Sequence, residues 1–217
     1  MMIEDPAAFI GANTVLTPVP HAPEISLHVA DEITPIWRMT EEALGSLGLD
    51  PPFWAFAWAG GQALARYLLD HPHETQGRRV VDFASGSGLC AIAAMKAGAA
   101  EVLAVDIDPF CAAAIAMNAQ ANGVQVQALI ENILDRPPPS ADLILAGDIC
   151  YEKDLTERVL AWLMAGHRAG ARVLIGDPGR TYFPRQGLTQ LAEYQVQTTR
   201  ELEDFEIKRS GVWTIAD

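Results

Sequence analysis

Basic residues are scarce in this 217-residue chain: 15 Lys and Arg stand against 28 Asp and Glu, a formal charge of −13. Free nucleic acid is excluded as a natural partner, because binding phosphate needs clustered Lys and Arg. The acidic surface favours a cationic ligand or a lysine-bearing protein surface, or else serves solubility. Cysteine is also rare. The three present, Cys90, Cys111 and Cys150, lie in apolar segments without a Cys-x-x-Cys pair, which points to reduced, buried thiols rather than a disulfide framework. No run approaches the roughly 18 apolar residues that span a bilayer. Met1–Pro6 carries Glu4 and Asp5 and neither Lys nor Arg, unlike a secretory or Arg-rich transit segment; a cytoplasmic, bacterial setting is expected. The five histidines lack metal spacing with acidic or thiol partners, and His71-x-His73 around Pro72 reads as an exposed helix end, so no metal is expected. A Ser/His/Asp elbow, a phosphate-cradling Lys loop, internal repeats and low-complexity tracts are missing as well.

What remains is an ordinary globular balance, 50% apolar and 20% charged, long enough for one sizeable core and an appendage. Met2–Gly11 reads as a short helix started by Asp5-Pro6. Asn13–Ala30 is broken by prolines and should be extended or looped, with Ile25, Leu27 and Val29 alternating as a possible edge strand. Thr34–Gly45 has helical spacing, with Thr34 as cap and Pro35 in the first helical position. Residues 1–50 are therefore expected to form an N-terminal appendage, and 51–217 the main domain.

From Arg79 onward strands and helices alternate. Strands are predicted at Arg79–Ala84, Val102–Ile107, Val126–Ile130, Asp142–Asp148 and Arg172–Asp177. Helices are predicted at Leu89–Ala97, Pro109–Asn122 and Leu155–Gly166, with Leu188–Ala192 completing the helical layer. Short apolar strands alternating with helices imply a parallel, doubly wound α/β sheet with right-handed crossovers. Tyr194–Leu202 and Phe205–Ala216 read as two longer strands, tightly joined near Glu203-Asp204 and hence antiparallel.

The sheet is organised around Val80–Gly88, a buried strand ending in Asp82 that turns through Ala84, Ser85, Gly86 and Gly88 into a helix. A Gly-rich turn there lets a ligand touch backbone, and Asp106, 18 residues after Gly88, ends the next strand where a ribose hydroxyl would be bonded. Asp82 either holds loop amides or reaches a ligand's amino group. Asp108, directly before Pro109, is a better helix cap than Asp106. Asn132, after the third strand, could bond a base edge or simply turn the chain. Phe53, Trp54, Phe56 and Trp58 concentrate aromatic surface, either as a lid over one sheet edge or with Trp58 and Gly60-Gly61 as the border of a ligand. Asp148-x-x-Tyr151 ends the fourth strand, where open α/β sheets place their sites. Cys150 reads as packing. Asp177 and Arg180, after the fifth strand, either shape an acceptor pocket or pair with each other.

Asp82-x-Ala84-x-Gly86-x-Gly88, with Ala84 in place of a first glycine, resembles the donor loop of class I methyltransferases, and the terminal hairpin matches their seven-stranded Rossmann-like sheet. Asp148-x-x-Tyr151 resembles the acid-x-x-aromatic signature of seven-β-strand protein lysine methyltransferases. With Trp58–Leu64, Gly147–Tyr151 and Ile175–Arg180, the chain from about Pro51 to Trp213 is similar to the electron transfer flavoprotein β-subunit lysine methyltransferase family, including bacterial members. Ala59 stands where that family has proline. The resemblance implies S-adenosylmethionine as donor and S-adenosylhomocysteine as product. It places Trp58, Asp82, Ala84, Ser85, Gly86, Gly88, Asp106, Asn132 and Gly147 around the donor. Asp148 and Tyr151 would be at the reacting amine, and Asp177 and Arg180 at the acceptor. It also implies a monomer acting on lysines of the electron transfer flavoprotein β-subunit. A small-molecule N-methyltransferase and a non-catalytic donor-binding module are the alternatives, since one sheet hosts many functions.

Overall fold

Asp5 and Pro6 start the first helix as predicted: Asp5 Oδ1 accepts from the Ala8 amide at 3.0 Å, and Pro6 opens α1 (Pro6–Asn13). The computed structural model describes residues 5–30, 45, 51–184, 186–198 and 207–216. The helix expected over Thr34–Gly45 lies outside the described residues except for Gly45. The proline-broken stretch forms a hairpin of β1 (Val15–Val19) and β2 (Ala22–Val29), with Pro18 in the outer strand, where a missing amide is tolerated.

The hairpin is joined to the main body by burial and by amide side chains. Ile10, Val19, Ala22, Ile25 and Leu27 are buried in the same apolar cluster as Leu64, Ile92 and Ile115. The edge of β2 away from β1 is closed by two asparagines of α4 (Pro109–Ala121) and its end. The Asn118 carbonyl accepts from the His28 amide at 2.8 Å; Asn122 accepts from the Ser26 amide at 3.0 Å and donates to the Ser26 carbonyl at 2.6 Å. Asn118 also donates to the Ser87 carbonyl at 2.8 Å, tying β2 to the Gly-rich loop. Because Asn118 is fully buried, Asn118→Leu should strand the His28 amide and the Ser87 carbonyl. At about 1–3 kcal/mol for each group, a loss of roughly 2–6 kcal/mol is expected, measured as a lower urea midpoint at unchanged slope.

The main sheet comprises β3 (Arg79–Phe83), β4 (Glu101–Asp106), β5 (Gln127–Ile130), β6 (Leu143–Gly147), β7 (Arg172–Asp177), β8 (Leu188–Gln197) and β9 (Ile207–Ile215), in the order β5-β4-β3-β6-β7-β9-β8. β3 to β7 are parallel, and β9 runs antiparallel to both β7 and β8. Alternation sorts the strand residues. Val80, Val102, Ala104, Leu143, Leu145 and Leu174 pack with α2 (Ala59–Asp70), α3 (Leu89–Lys96) and α4. Val81, Phe83, Val105, Ile144, Val173 and Ile175 pack with Val159, Trp162 and Leu163 of α5 (Lys153–Arg168). One expectation is overturned: Leu188–Ala192 is not helix but the first half of β8, laddered on β9 from Leu188↔Ile215 through a bulge between Gln190 and Ala192. Five residues are too few to sustain a helix, whereas the ladder partner β9 satisfies their backbone. The strands of the terminal pair are antiparallel as expected; their connection near Glu203-Asp204 lies outside the described residues.

Candidate active site

The strand order reverses between β3 and β6, so the loops leaving those two strands flank one crevice at the carboxyl end of the sheet. On one side, Asp82 is buried and its Oδ2 accepts from Ser85 Oγ at 2.6 Å and from the Ala91 amide at 2.9 Å. The loop it braces takes left-handed backbone at Ala84 (φ 53°), Gly86 and Gly88. Alanine there costs roughly 1–2 kcal/mol relative to a residue without Cβ, and Ala84 is exposed. Asp106 closes the loop from β4: Oδ2 accepts from the Gly86 amide at 2.8 Å, and Oδ1 from the Ile107 and Asp108 amides at 2.7 and 3.1 Å. Asp108, not Asp106, caps α4, accepting from the Phe110 amide at 2.8 Å. The Asn132 side chain accepts from the Leu134 amide at 3.1 Å in an exposed turn.

On the other side stands Asp148, a buried carboxylate on left-handed backbone (φ 57°) directly after β6. Its Oδ2 accepts from the Gly61 amide at 2.7 Å, in the first turn of α2. Its Oδ1 accepts from Arg180 Nη2 at 2.7 Å and Nε at 3.2 Å. Asp148 does not cap the following helix: α5 begins at Lys153 with Glu152 as its N-cap. Arg180 takes its place in the same turn as Asp177, whose Oδ1 accepts from the Gly179 and Arg180 amides at 2.7 and 2.8 Å. Asp177 thus holds the Arg180 backbone while the guanidinium reaches Asp148. The other Asp177 oxygen is buried without a hydrogen-bond partner among the described residues.

The aromatic stretch is part core and part exposed. Trp54 is core, stacked on Phe110 at 5.7 Å, whereas Phe53 lies 5.9 Å from Trp58 and 5.7 Å from Tyr151. Trp58 donates to the Phe53 carbonyl at 2.9 Å and lies beneath the Arg180 guanidinium, 5.6 Å from its ring centre. Tyr151 is half exposed at the rim. Gly147 is where it is because α2 comes close: a Cβ there would lie 3.2 Å from the Gly61 Cα. Cys150 is buried, and burial pushes its thiol up to about 12, so it is packing and not a nucleophile. The Gly60-Gly61 pair, a candidate ligand border in the sequence, supplies the amide that holds Asp148, and Phe53 is the exposed member of an aromatic stretch in which periodicity does not separate it from the buried Trp54.

Burial raises the carboxyls of both Asp82 and Asp177 to about 7, the Asp106 charge adding to the first and the Asp148 charge to the second. Both lie above the ordinary value of 3.8, so between about 4 and 7 the folded chain binds more protons than the unfolded one. Stability from these groups is therefore complete at low pH and is lost as pH rises through about 7. Glu74, held below its usual value by Arg172, acts oppositely as pH falls below the carboxylate range. The stability of the ligand-free protein should accordingly rise from pH 7 to pH 5, by up to about 1.4 kcal/mol per pH unit for each carboxyl; thermal midpoints measured by calorimetry across that range check it.

Comparison with known proteins matches the family described as ribosomal protein L11 methyltransferase (PrmA) to residues 33–158. The chain is 39% identical over 213 residues to the electron transfer flavoprotein beta subunit lysine methyltransferase of Mus musculus, covering 95% of this chain and 82% of that protein. The Homo sapiens counterpart is 38% identical over 95% of this chain and 80% of its own. A ribosomal protein L11 methyltransferase of Stenotrophomonas maltophilia is 34% identical over 64% of this chain and 42% of its own. Among solved structures, ribosomal protein L11 methylase of Lactobacillus delbrueckii subsp. bulgaricus superposes with a TM-score of 0.52 at 20% identity, covering 75% of this chain and 81% of its own. Magnesium protoporphyrin IX methyltransferase of Synechocystis, solved with bound S-adenosylhomocysteine, also gives 0.52, at 16% identity over 72% of this chain and 81% of its own. These two share the fold: a seven-stranded class I methyltransferase sheet with an antiparallel terminal pair.

Proposed function

The chain belongs to the electron transfer flavoprotein β-subunit lysine methyltransferase family, and from that premise we propose that it methylates lysine side chains of the electron transfer flavoprotein β-subunit, using S-adenosylmethionine and releasing S-adenosylhomocysteine. The observation that carries this reading is Asp148: a buried carboxylate at the switch point, fixed by the Gly61 amide and by Arg180, whose guanidinium lies over the Trp58 ring. The small-molecule alternative is not favoured by relatives that are protein methyltransferases.

The bound donor would supply a methyl carbon on a sulfonium, which an amine attacks while the carbon–sulfur electron pair stays with sulfur. The chain's own residues bind, orient and shield. Asp106 is suited to ribose hydroxyls, because its carboxylate stands half-buried at the end of β4 beside the Gly-rich loop. Asp82 with Ser85 braces Ala84, Gly86 and Gly88 so that loop backbone faces the donor; Asn132 is suited to a base edge, and Trp58 and Gly147 to its other border. Asp148 would accept a hydrogen bond from the lysine amine, point its lone pair at the methyl carbon and stabilise the cationic product. Tyr151 would line the lysine channel with its ring face. Asp177 shapes the acceptor side by holding the turn that presents Arg180.

Monomeric action and a cytoplasmic setting complete the reading; free, buried Cys90, Cys111 and Cys150 are in keeping with a reducing compartment, and no helix among the described residues is long and apolar enough to cross a membrane. The test is to mix the protein with S-adenosylmethionine and purified electron transfer flavoprotein and locate methyl groups by peptide mass spectrometry. Methylated β-subunit lysines are expected. Absence of product with an enzyme shown by calorimetry to bind the donor would sink the substrate assignment, and label confined to low-mass products would replace it with small-molecule methylation.

A further inference from the structure

Arg180 bonds the carboxylate to which the mechanism above brings a lysine amine. Its guanidinium bonds the same carboxylate that the acceptor amine must face, through Nη2 at 2.7 Å and Nε at 3.2 Å. The residue is held by the Asp177 carboxylate on its backbone amide, by Asp148 on its guanidinium and by the Trp58 ring 5.6 Å from its Cζ. A side chain placed this firmly on a crevice carboxylate is a permanent part of the electrostatics, since arginine does not lose its proton in proteins.

Among the described residues, the titratable groups that face the Asp148–Arg180 pair include Asp177 from the turn after β7, Cys150 and Tyr151 from the turn after β6 and Cys90 from α3, with Glu152 and Asp106 acting on Tyr151 and Asp82 on Cys90. Arg180 is the cation whose field reaches Asp177, Cys150 and Tyr151 alike. This matters because a methyl acceptor needs an unprotonated nitrogen. A carboxylate standing alone would hold an incoming lysine as ammonium, favouring the charged form by roughly 1–3 pH units, and a neighbouring cation opposes that shift.

Resting on the lysine-methylation reading above, we infer that Arg180 is an electrostatic positioning residue, which by pairing with Asp148 keeps the acceptor lysine in its neutral, nucleophilic form. Asp148 then orients the amine without trapping it as ammonium. The charge on Arg180 matters for this role, and the fork geometry matters for holding Asp148.

The experiment measures kcat/KM against pH for the full-length protein with S-adenosylmethionine and electron transfer flavoprotein, as wild type, Arg180→Gln and Arg180→Lys. Arg180→Gln should move the acidic limb up by about 1–2 pH units, with its rate recovering at high pH. Arg180→Lys should keep the wild-type limb at a lower plateau. A glutamine variant that is slow at all pH values with its limb unmoved would overturn the inference, leaving Arg180 a structural partner of Asp148. An inactive wild type would overturn the lysine-methylation reading and this inference with it, which distinguishes the two failures. Should the glutamine variant turn over too slowly for a profile, calorimetry in buffers of different ionisation heat counts protons released when the flavoprotein binds enzyme loaded with S-adenosylhomocysteine. Wild type should release about one proton near pH 8 where the variant releases few, and equal release would refute the role.

Discussion

Asp148→Asn is expected to lower kcat by roughly 10²–10³-fold while leaving donor affinity within a few-fold of wild type. The asparagine keeps the shape of the site. Asp148 lies at φ 57°, where Asn is among the few residues that sit comfortably, and an amide oxygen still accepts from the Gly61 amide. What is removed is the charge that offsets Arg180 and that would orient the amine and receive the cationic product, together with the second oxygen, on which the guanidinium bonds. Asp148→Ala would be a poorer experiment. It removes the carboxylate that both Gly61 and Arg180 bond and leaves Ala on left-handed backbone, so lost activity and lost stability would be confounded. Turnover of the asparagine variant is to be measured under single-turnover conditions at saturating donor. A rate equal to wild type would return Asp148 to a structural role and remove the main support for the catalytic assignment.

Gly60→Ala should destabilise the fold by about 2 kcal/mol or more and depress turnover at the same time. Within a helix the exchange would ordinarily be worth about 1 kcal/mol in favour of alanine. Here the new Cβ would fall inside van der Waals contact of the Gly176 carbonyl and 2.7 Å from Asp148 Oδ2. The obstacle is backbone, which cannot rotate away, and overpacking of this kind costs typically about 1–3 kcal/mol, occasionally more. The start of α2 must therefore move off the ends of β6 and β7, carrying the Gly61 amide away from Asp148. Gly61→Ala is the matched control: its Cβ would meet Leu89 Cδ2 at 3.7 Å and Asp148 Oδ2 at 3.9 Å, ordinary contacts, so near-neutral stability is expected. Urea midpoints of the two variants, side by side, check the difference. Equal midpoints would show that α2 adjusts freely and that the glycine pair is not needed for its close approach.

Much of the scaffold was legible before any coordinates. The five parallel strands and the helices α3, α4 and α5 lie within a residue or two of their predicted places, because each carries a local pattern: an apolar run, a capping Asp108-Pro109, a glycine at its end. The antiparallel terminal pair was legible for the same reason. Leu188–Ala192 was misread because a short apolar-polar segment has no intrinsic preference strong enough to decide its state, and β9 decided it. For the site, the acids and aromatics that end strands were legible as candidates, since a doubly wound sheet puts strand ends together.

The sequence by itself determined the layer order of this protein and the chemical types gathered at the carboxyl end of its sheet, because periodicity and turn residues act between near neighbours in the chain. Only the tertiary structure decided which of those types bond. Asp148 meets the Gly61 amide across 87 positions and Arg180 across 32, and β2 is closed by Asn118 across 90. No local pattern encodes such pairs. They follow from how closely α2 can approach β6 and β7, which Gly60, Gly147 and Gly176 permit by having no side chain to hold the elements apart.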